Sequence, residues 1–259
     1  MTPRRPRRIW PWLFGLFLAG WLATAIATLP LAAVIQAVDL PDDLALESSH
    51  GTIWNGRMTI RWDDRPPVDL RLDWNPAALL RLAAEWRVDA RSAGMTAEGR
   101  LHLPVTRLPG RHIELTEATL QADMDSPWID DHPTTLPMTG HMRLTIADWR
   151  FVPQLDSGRW QLDWSRAGFR VNGEVPFGRI EGEGRIAAGR IAGTVRSSDG
   201  NPASLPRLDM RIRQGDDKRI VLEGEIDARE DRNLQDALTV IGRRTANGTI
   251  SIRHEITIP

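Results

Sequence analysis

Cysteine and tyrosine are absent from the 259 residues, and lysine occurs once, at Lys218. Without cysteine there is no disulfide framework, no thiolate metal ligand and no thiol nucleophile. A single lysine with no glycine frame around it excludes a phosphate-binding loop of the Walker type, and no serine stands in a nucleophile elbow. The six histidines (His50, His102, His112, His132, His141, His254) are scattered, with no H-x3-H or H-E-x-x-H spacing. The acidic group Asp123, Asp125, Asp130, Asp131 with His132 lacks the central glycine and terminal glutamate of a calcium loop, so a solvated loop is the simpler reading. The net charge of -1 gives no bulk attraction to nucleic acid. Composition and spacing therefore predict no catalytic residues, no metal site and no cofactor.

Charge is also missing from one long stretch. Ile9 to Val38 carries no ionisable side chain, and four arginines (Arg4, Arg5, Arg7, Arg8) precede it. A spanning helix needs about 20 apolar residues, and Trp12 to Leu31 supplies them. Trp10 and Trp12 are placed to rest at one interface. The positive-inside rule puts residues 1–8 in the cytoplasm and the bulk of the chain across the membrane. A cleaved signal peptide is the rival, with Ala25-Ile26-Ala27 as its cleavage site, but its apolar core would be about 7–15 residues. The run here continues well past that, so an uncleaved anchor over 9–38 is expected, with Pro30 kinking it and Leu40-Pro41-Asp42-Asp43 ending it.

Beyond residue 44 the dominant period is two. Met58, Ile60 and Trp62 alternate with Arg57, Thr59 and Arg61; Val68, Leu70, Leu72 and Trp74 alternate with Asp69, Arg71 and Asp73. The same pattern returns at Met142/Leu144/Ile146, Trp160/Leu162/Trp164, Phe169/Val171/Val175, Leu208/Met210/Ile212, Ile220/Leu222/Ile226 and Ile250/Ile252/Ile256/Ile258. Such spacing puts the apolar set on one side of a strand. Turn signals at Asp64-Arg65-Pro66-Pro67, Pro109-Gly110, Asp156-Ser157-Gly158, Asp199-Gly200-Asn201-Pro202 and Asn247-Gly248 separate the runs, and a hairpin is expected to turn at Ala188-Gly189. Two short helices are expected, Asn75 to Ala84 with Asn75 as cap and Pro76 at the first position, and Asp231 to Arg244.

The expected class is therefore mainly β: an N-terminal transmembrane helix, then a curved antiparallel sheet, half-barrel or sandwich-like, with one or two short helices. Residues 39–259 form one β domain, with 125–138 as the candidate place for a subdivision. Each apolar sheet face must be covered, and two short helices cannot do it. Glycines on that face (Gly173, Gly182, Gly184, Gly193, Gly224) suit curvature or close approach. The tryptophans Trp62, Trp74, Trp86, Trp160 and Trp164 are read as core.

Two stretches carry a resemblance. Gly51, Thr52, Ile53, Trp54 and Gly56 make a G-T-hydrophobic-W-x-G turn soon after the apolar run, and Trp74, Pro76, Leu79 and Leu80 make a W-x-P-x-x-L-L segment. With "TLPLAAVIQAV" before them and "LTVIGRRTANGTISI" near the C-terminus, the chain resembles the type II secretion system protein N family of Gram-negative bacteria. The resemblance implies a single-pass inner-membrane protein with a periplasmic β domain. It implies a non-enzymatic accessory of the machine that exports folded proteins across the outer membrane. Its partners would be other secretion-machine subunits and the membrane, with no catalytic residues carried over. Read on physical grounds, Gly51 and Gly56 allow a tight reversal and Trp54 plugs the membrane-side end of the sheet. The competing reading is an AsmA-like envelope protein carrying lipid along an apolar groove; a glycan-acting enzyme is weaker, because the alternation turns nearly all acids outward.

Overall fold

The computed structural model describes residues 10–36, 43–63, 65–104, 113–126, 138–152, 154–170, 174–214, 219–228, 235, 238, 242–247 and 249–257. The expected tail 1–8, most of the break at 40–43, the Pro109-Gly110 turn, Gly173, and Asp130, Asp131 and His132 lie outside them.

Two helices come first, α1 (Trp10–Ala27) and α2 (Leu31–Gln36). The single helix expected over Trp12 to Leu31 is interrupted, because Pro30 cannot donate to the helical ladder and Leu29 precedes it. Among the described residues no helix is long and apolar enough to cross a membrane. The 18 residues of α1 rise about 27 Å, against a hydrocarbon core of about 30 Å.

Among the described residues fourteen strands follow: β1 (Leu44–Gly51), β2 (Asn55–Trp62), β3 (Val68–Trp74), β4 (Ala83–Ser92), β5 (Met95–Pro104), β6 (Ile113–Asp123), β7 (Met138–Val152), β8 (Gln154–Arg170), β9 (Glu174–Ala187), β10 (Arg190–Ser197), β11 (Arg207–Gln214), β12 (Arg219–Asp227), β13 (Arg243–Arg244) and β14 (Ile250–Thr257). They form one open antiparallel sheet in chain order, except that β14 lies between β12 and β13. A sandwich of two stacked sheets is thus replaced by a single meander. Each strand from β2 to β12 lies beside its predecessor, and β6 pairs directly with β7 across the 125–138 segment. A sheet of this many twisted strands curls. Register shifts bend it further at Glu98/Arg100, Ala147/Arg150 and Trp164/Ala167, where Glu117, Asp148 and Arg166 take positive φ.

The Ala188-Gly189 hairpin forms as expected, with φ of 50° and 73°. The helix expected over Asn75 to Ala84 is a shorter 3-10 helix, Pro76–Arg81. It is stopped by Leu82 in the left-handed region, and Ala83 and Ala84 begin β4. Of the helix expected over Asp231 to Arg244, Gln235 and Leu238 are helical and buried, but Arg243 and Arg244 pair with β14 instead.

The core gathers at one end of β6–β14, around Met124, Trp164, Phe177, Ile180, Ile226 and Ile250. Phe169 meets both Trp164 and Phe177 edge-on, at 5.8 and 5.2 Å, and Trp164 donates its indole N–H to the Thr139 carbonyl at 2.9 Å. Two of the glycines of the apolar face pack against the Trp160 ring and one against Met210. A Cβ on Gly184 or Gly193 would stand 2.4 or 2.3 Å from the Trp160 ring, and one on Gly224 would stand 2.7 Å from Met210 Cγ. Trp160, 8% exposed, fills the space they leave. Trp62 departs from expectation: it is 46% exposed, at the open end of β2, with the Arg65 guanidinium 5.8 Å above its ring.

Candidate functional site

The turn between β1 and β2 sits against the end of α1. Gly51 has φ of +83°, and a Cβ there would lie 2.4 Å from the Asn55 carbonyl oxygen, so only glycine closes this reversal. Thr52 caps it: its hydroxyl accepts from the Trp54 and Asn55 backbone N–H groups, both at 3.3 Å. Gly56 is buried because Leu31 of α2 lies on it; an added Cβ would be 2.6 Å from Leu31 Cδ2 and 2.7 Å from the Thr52 carbonyl oxygen.

The last carbonyls of a helix lack intrahelical partners; at the exit of α1 the Leu29 N–H closes on the Ile26 carbonyl at 3.3 Å, and the turn adds two further donors. The Trp54 indole N–H donates to the Ile26 carbonyl at 2.8 Å, and the Ile53 backbone N–H donates to the Leu29 carbonyl at 3.2 Å. Pro30 and Thr52 form an isolated β-bridge beside them. The chain therefore leaves α1, reaches the far end of the sheet at Asp43, whose carbonyl accepts from the Asp63 N–H, and returns along β1 to the helix exit.

Three indoles make the floor. Trp54 is tilted on Trp74, centroids 4.6 Å apart, and stacked with Trp86 at 6.2 Å and 9°. Trp86 donates its indole N–H to the Ile53 carbonyl at 2.9 Å, and the Trp74 backbone N–H donates to the Trp54 carbonyl at 2.7 Å. The Trp74 indole N–H is buried without a partner.

The structure thus brings Gly51, Thr52, Ile53, Trp54, Gly56 and Trp74 together. Pro76 starts the 3-10 helix, whose cap Asn75 accepts from the Ala77 N–H at 3.2 Å. Leu79 and Leu80 do not join the cluster; they are 49% and 89% exposed. The sequence reading missed Leu31 and the Ile26 and Leu29 carbonyls. Leu31 was hidden in an apolar run, and a carbonyl leaves no mark in a sequence.

The polar face is a ladder of cross-strand ion pairs, among them Arg87–Glu98 at 3.3 Å, Arg100–Glu117 at 3.2 Å and Arg213–Glu223 at 2.6 Å. Arg179 is raised above its ordinary value by its hydrogen bond to Asp163, then by the Asp163 and Glu181 charges. Asp123 contacts His141 in a shallow hollow with Arg143, Asp163 and Arg179. Among the described residues no three metal-ligating side chains converge.

A family model described as "Type II secretion system (T2SS), protein N" matches residues 42–253. The chain is 27% identical over 173 residues to the type II secretion system protein N of Vibrio cholerae serotype O1, covering 65% of this chain and 66% of that protein, just under two thirds of its length. No solved structure matches.

Proposed function

The chain belongs to the type II secretion system protein N family, and on that premise we propose that it is an inner-membrane accessory of the secretion machine. In this reading a periplasmic sheet is tethered by α1 and acts by contact with other subunits, without catalysis. The carrying observation is the docking of the G-T-I-W-N-G turn on the Ile26 and Leu29 carbonyls at the exit of an apolar helix. The described side chains of α1 are uncovered, with Trp12 83% exposed, Leu16 75%, Phe17 68% and Trp21 60%, and the helix carries no ionisable residue on any side. A helix apolar all round finds its cover in lipid or in a large core, and here no protein covers it among the described residues. With the uncharged residues on either side of α1 added, the run from Ile9 exceeds the length a bilayer needs.

The open sheet offers β1 at one edge and, at the other, the part of β14 beyond Ser251 that the two-residue β13 leaves uncovered, and a sheet edge accepts an added strand through backbone hydrogen bonds. A lipid-conveying groove has less support at β8–β10, where Trp160 occupies the space above the glycines. The test is deletion of the gene in a host with a working type II system, together with photo-crosslinking from β1 and β14. The proposal expects exoproteins to accumulate in the periplasm and crosslinks to machine subunits. Normal secretion with no such crosslink would end it, and release of the chain from membranes by alkaline carbonate would end the anchor.

A further inference from the structure

Outside α1 and its exit, the large apolar side chains that the described residues leave exposed are few: Trp62, Leu79, Leu80, Leu82 and Ile113. Three of the five belong to one turn. Leu79, Leu80 and Leu82 are 49%, 89% and 61% exposed, on and just after the 3-10 helix between β3 and β4.

The turn is held firmly. Asn75 caps its start, Ala78 is fully buried beneath it, and the Leu82 N–H closes back on the Leu79 carbonyl at 2.9 Å. Leu82 sits at φ of 53°, a conformation that disfavours a residue with a Cβ and suits glycine or asparagine. Folding alone would be served better by glycine at that position, which would remove both the strain and an exposed leucine.

The position of the turn indicates what the leucines meet. It begins directly after Trp74, whose N–H is bonded to the Trp54 carbonyl, and the Trp54 indole is bonded to Ile26 in the last turn of α1. The leucines therefore stand at the same end of the sheet as the helix exit, where Leu29 is also 36% exposed. No acid lies between Asn75 and Ala84, and the exposed Arg81 guanidinium is 3.8 Å from Glu85. An apolar tip with a basic residue beside it fits the interfacial zone of a phospholipid bilayer, where leucines enter the acyl boundary and arginine meets headgroup phosphate.

We propose that Leu79, Leu80 and Leu82 form a second membrane contact, entering the bilayer interface beside α1 and fixing the tilt of the sheet against the membrane. This rests on the reading of α1 as an anchor.

The cysteine-free chain allows a direct test. Full-length Leu80→Cys, Leu82→Cys, Leu18→Cys and Ala93→Cys variants are each labelled with an environment-sensitive fluorophore. They are then reconstituted in phosphatidylethanolamine/phosphatidylglycerol vesicles with and without lipids carrying a shallow or deep quencher. Leu80 is almost fully exposed, so its replacement leaves the fold in place. The proposal expects blue-shifted emission at Leu80 and Leu82, most of it lost to the shallow quencher. Ala93, on the hairpin at the opposite end of β4, should keep its emission. Leu80 and Leu82 probes as insensitive to lipid quencher as Ala93 would overturn the proposal, including where a blue shift showed that a protein surface covers them. The Leu18 probe reports the anchor independently. Deep quenching at Leu18 with none at Leu80 would retain the anchor and reject the second contact, whereas quenching at Leu80 with none at Leu18 would reject the anchor and, with it, a contact that sits beside α1.

Discussion

Trp54 and Trp74 stand 4.6 Å apart and differ in one respect that a single substitution exposes. The indole N–H of Trp54 has the Ile26 carbonyl as partner, and that of Trp74 is buried with none. Trp54→Phe removes a made hydrogen bond and should cost about 1 kcal/mol, whereas Trp74→Phe relieves a buried, unpaired donor and should cost clearly less. Thermal unfolding of the detergent-solubilised full chain decides between them, and equal losses would refute the assignment. Trp54→Ala should cost about 2 kcal/mol or more, short of the ~3–5 typical of a fully buried indole, because Trp54 is only half buried. Gly51→Val places a branched Cβ at positive φ and against the Asn55 oxygen, and should lower stability by at least about 1–3 kcal/mol. A Gly51→Val protein with an unchanged unfolding midpoint would remove the reason given for this turn.

At the scale of elements, the contact between Trp160 and the facing glycines of β9 and β10 is the clearest coupling. Trp160→Ala should cost about 3–5 kcal/mol through the cavity it opens. Gly193→Ala should cost about 1–3 kcal/mol in the presence of the indole, by overpacking. In the Trp160→Ala background the part of the Gly193→Ala cost owed to the ring should vanish, while the part owed to the Glu183 carbonyl oxygen, 2.6 Å from the added Cβ, should remain; fully additive losses in a double-mutant cycle would show that ring and Cβ do not share the space. These strands were legible in the sequence because side-chain alternation is a local property of extended chain. The bulges were not, since Glu117, Asp148 and Arg166 adopt positive φ without being glycine. Their charged side chains read as ordinary outward positions. Asn201 was seen only as part of a turn. In the structure its side chain donates to the Phe177 and Arg179 carbonyls at 3.0 and 2.8 Å and accepts from the Arg179 N–H at 2.9 Å, which holds the irregular step at Gly178 in β9.

At the scale of the molecule, stability is distributed unevenly. The longest strands, β7, β8 and β9 with 15, 17 and 14 residues, lie centrally and carry much of the packed core. Amide hydrogen exchange should be slowest there and fastest on the edge strand β1 away from Gly51; comparable protection across the sheet would contradict this. The ion pairs of the polar face are exposed and contribute little each. Moving from low to molar salt should therefore leave the unfolding midpoint nearly unchanged.

What the chain determined on its own was the antiparallel strands and the faces they present. Alternation sets the faces, and short turns oblige consecutive strands to pair, both of which act over a few residues. The uncharged run and its basic flank were equally plain. Tertiary structure alone decided that Trp54 finds the Ile26 carbonyl 28 residues earlier and that the leucines of the 3-10 turn face outward at the same end of the sheet as the helix exit. Those outcomes depend on backbone groups and on where distant strands end, and neither has a side-chain signature that spacing can reveal.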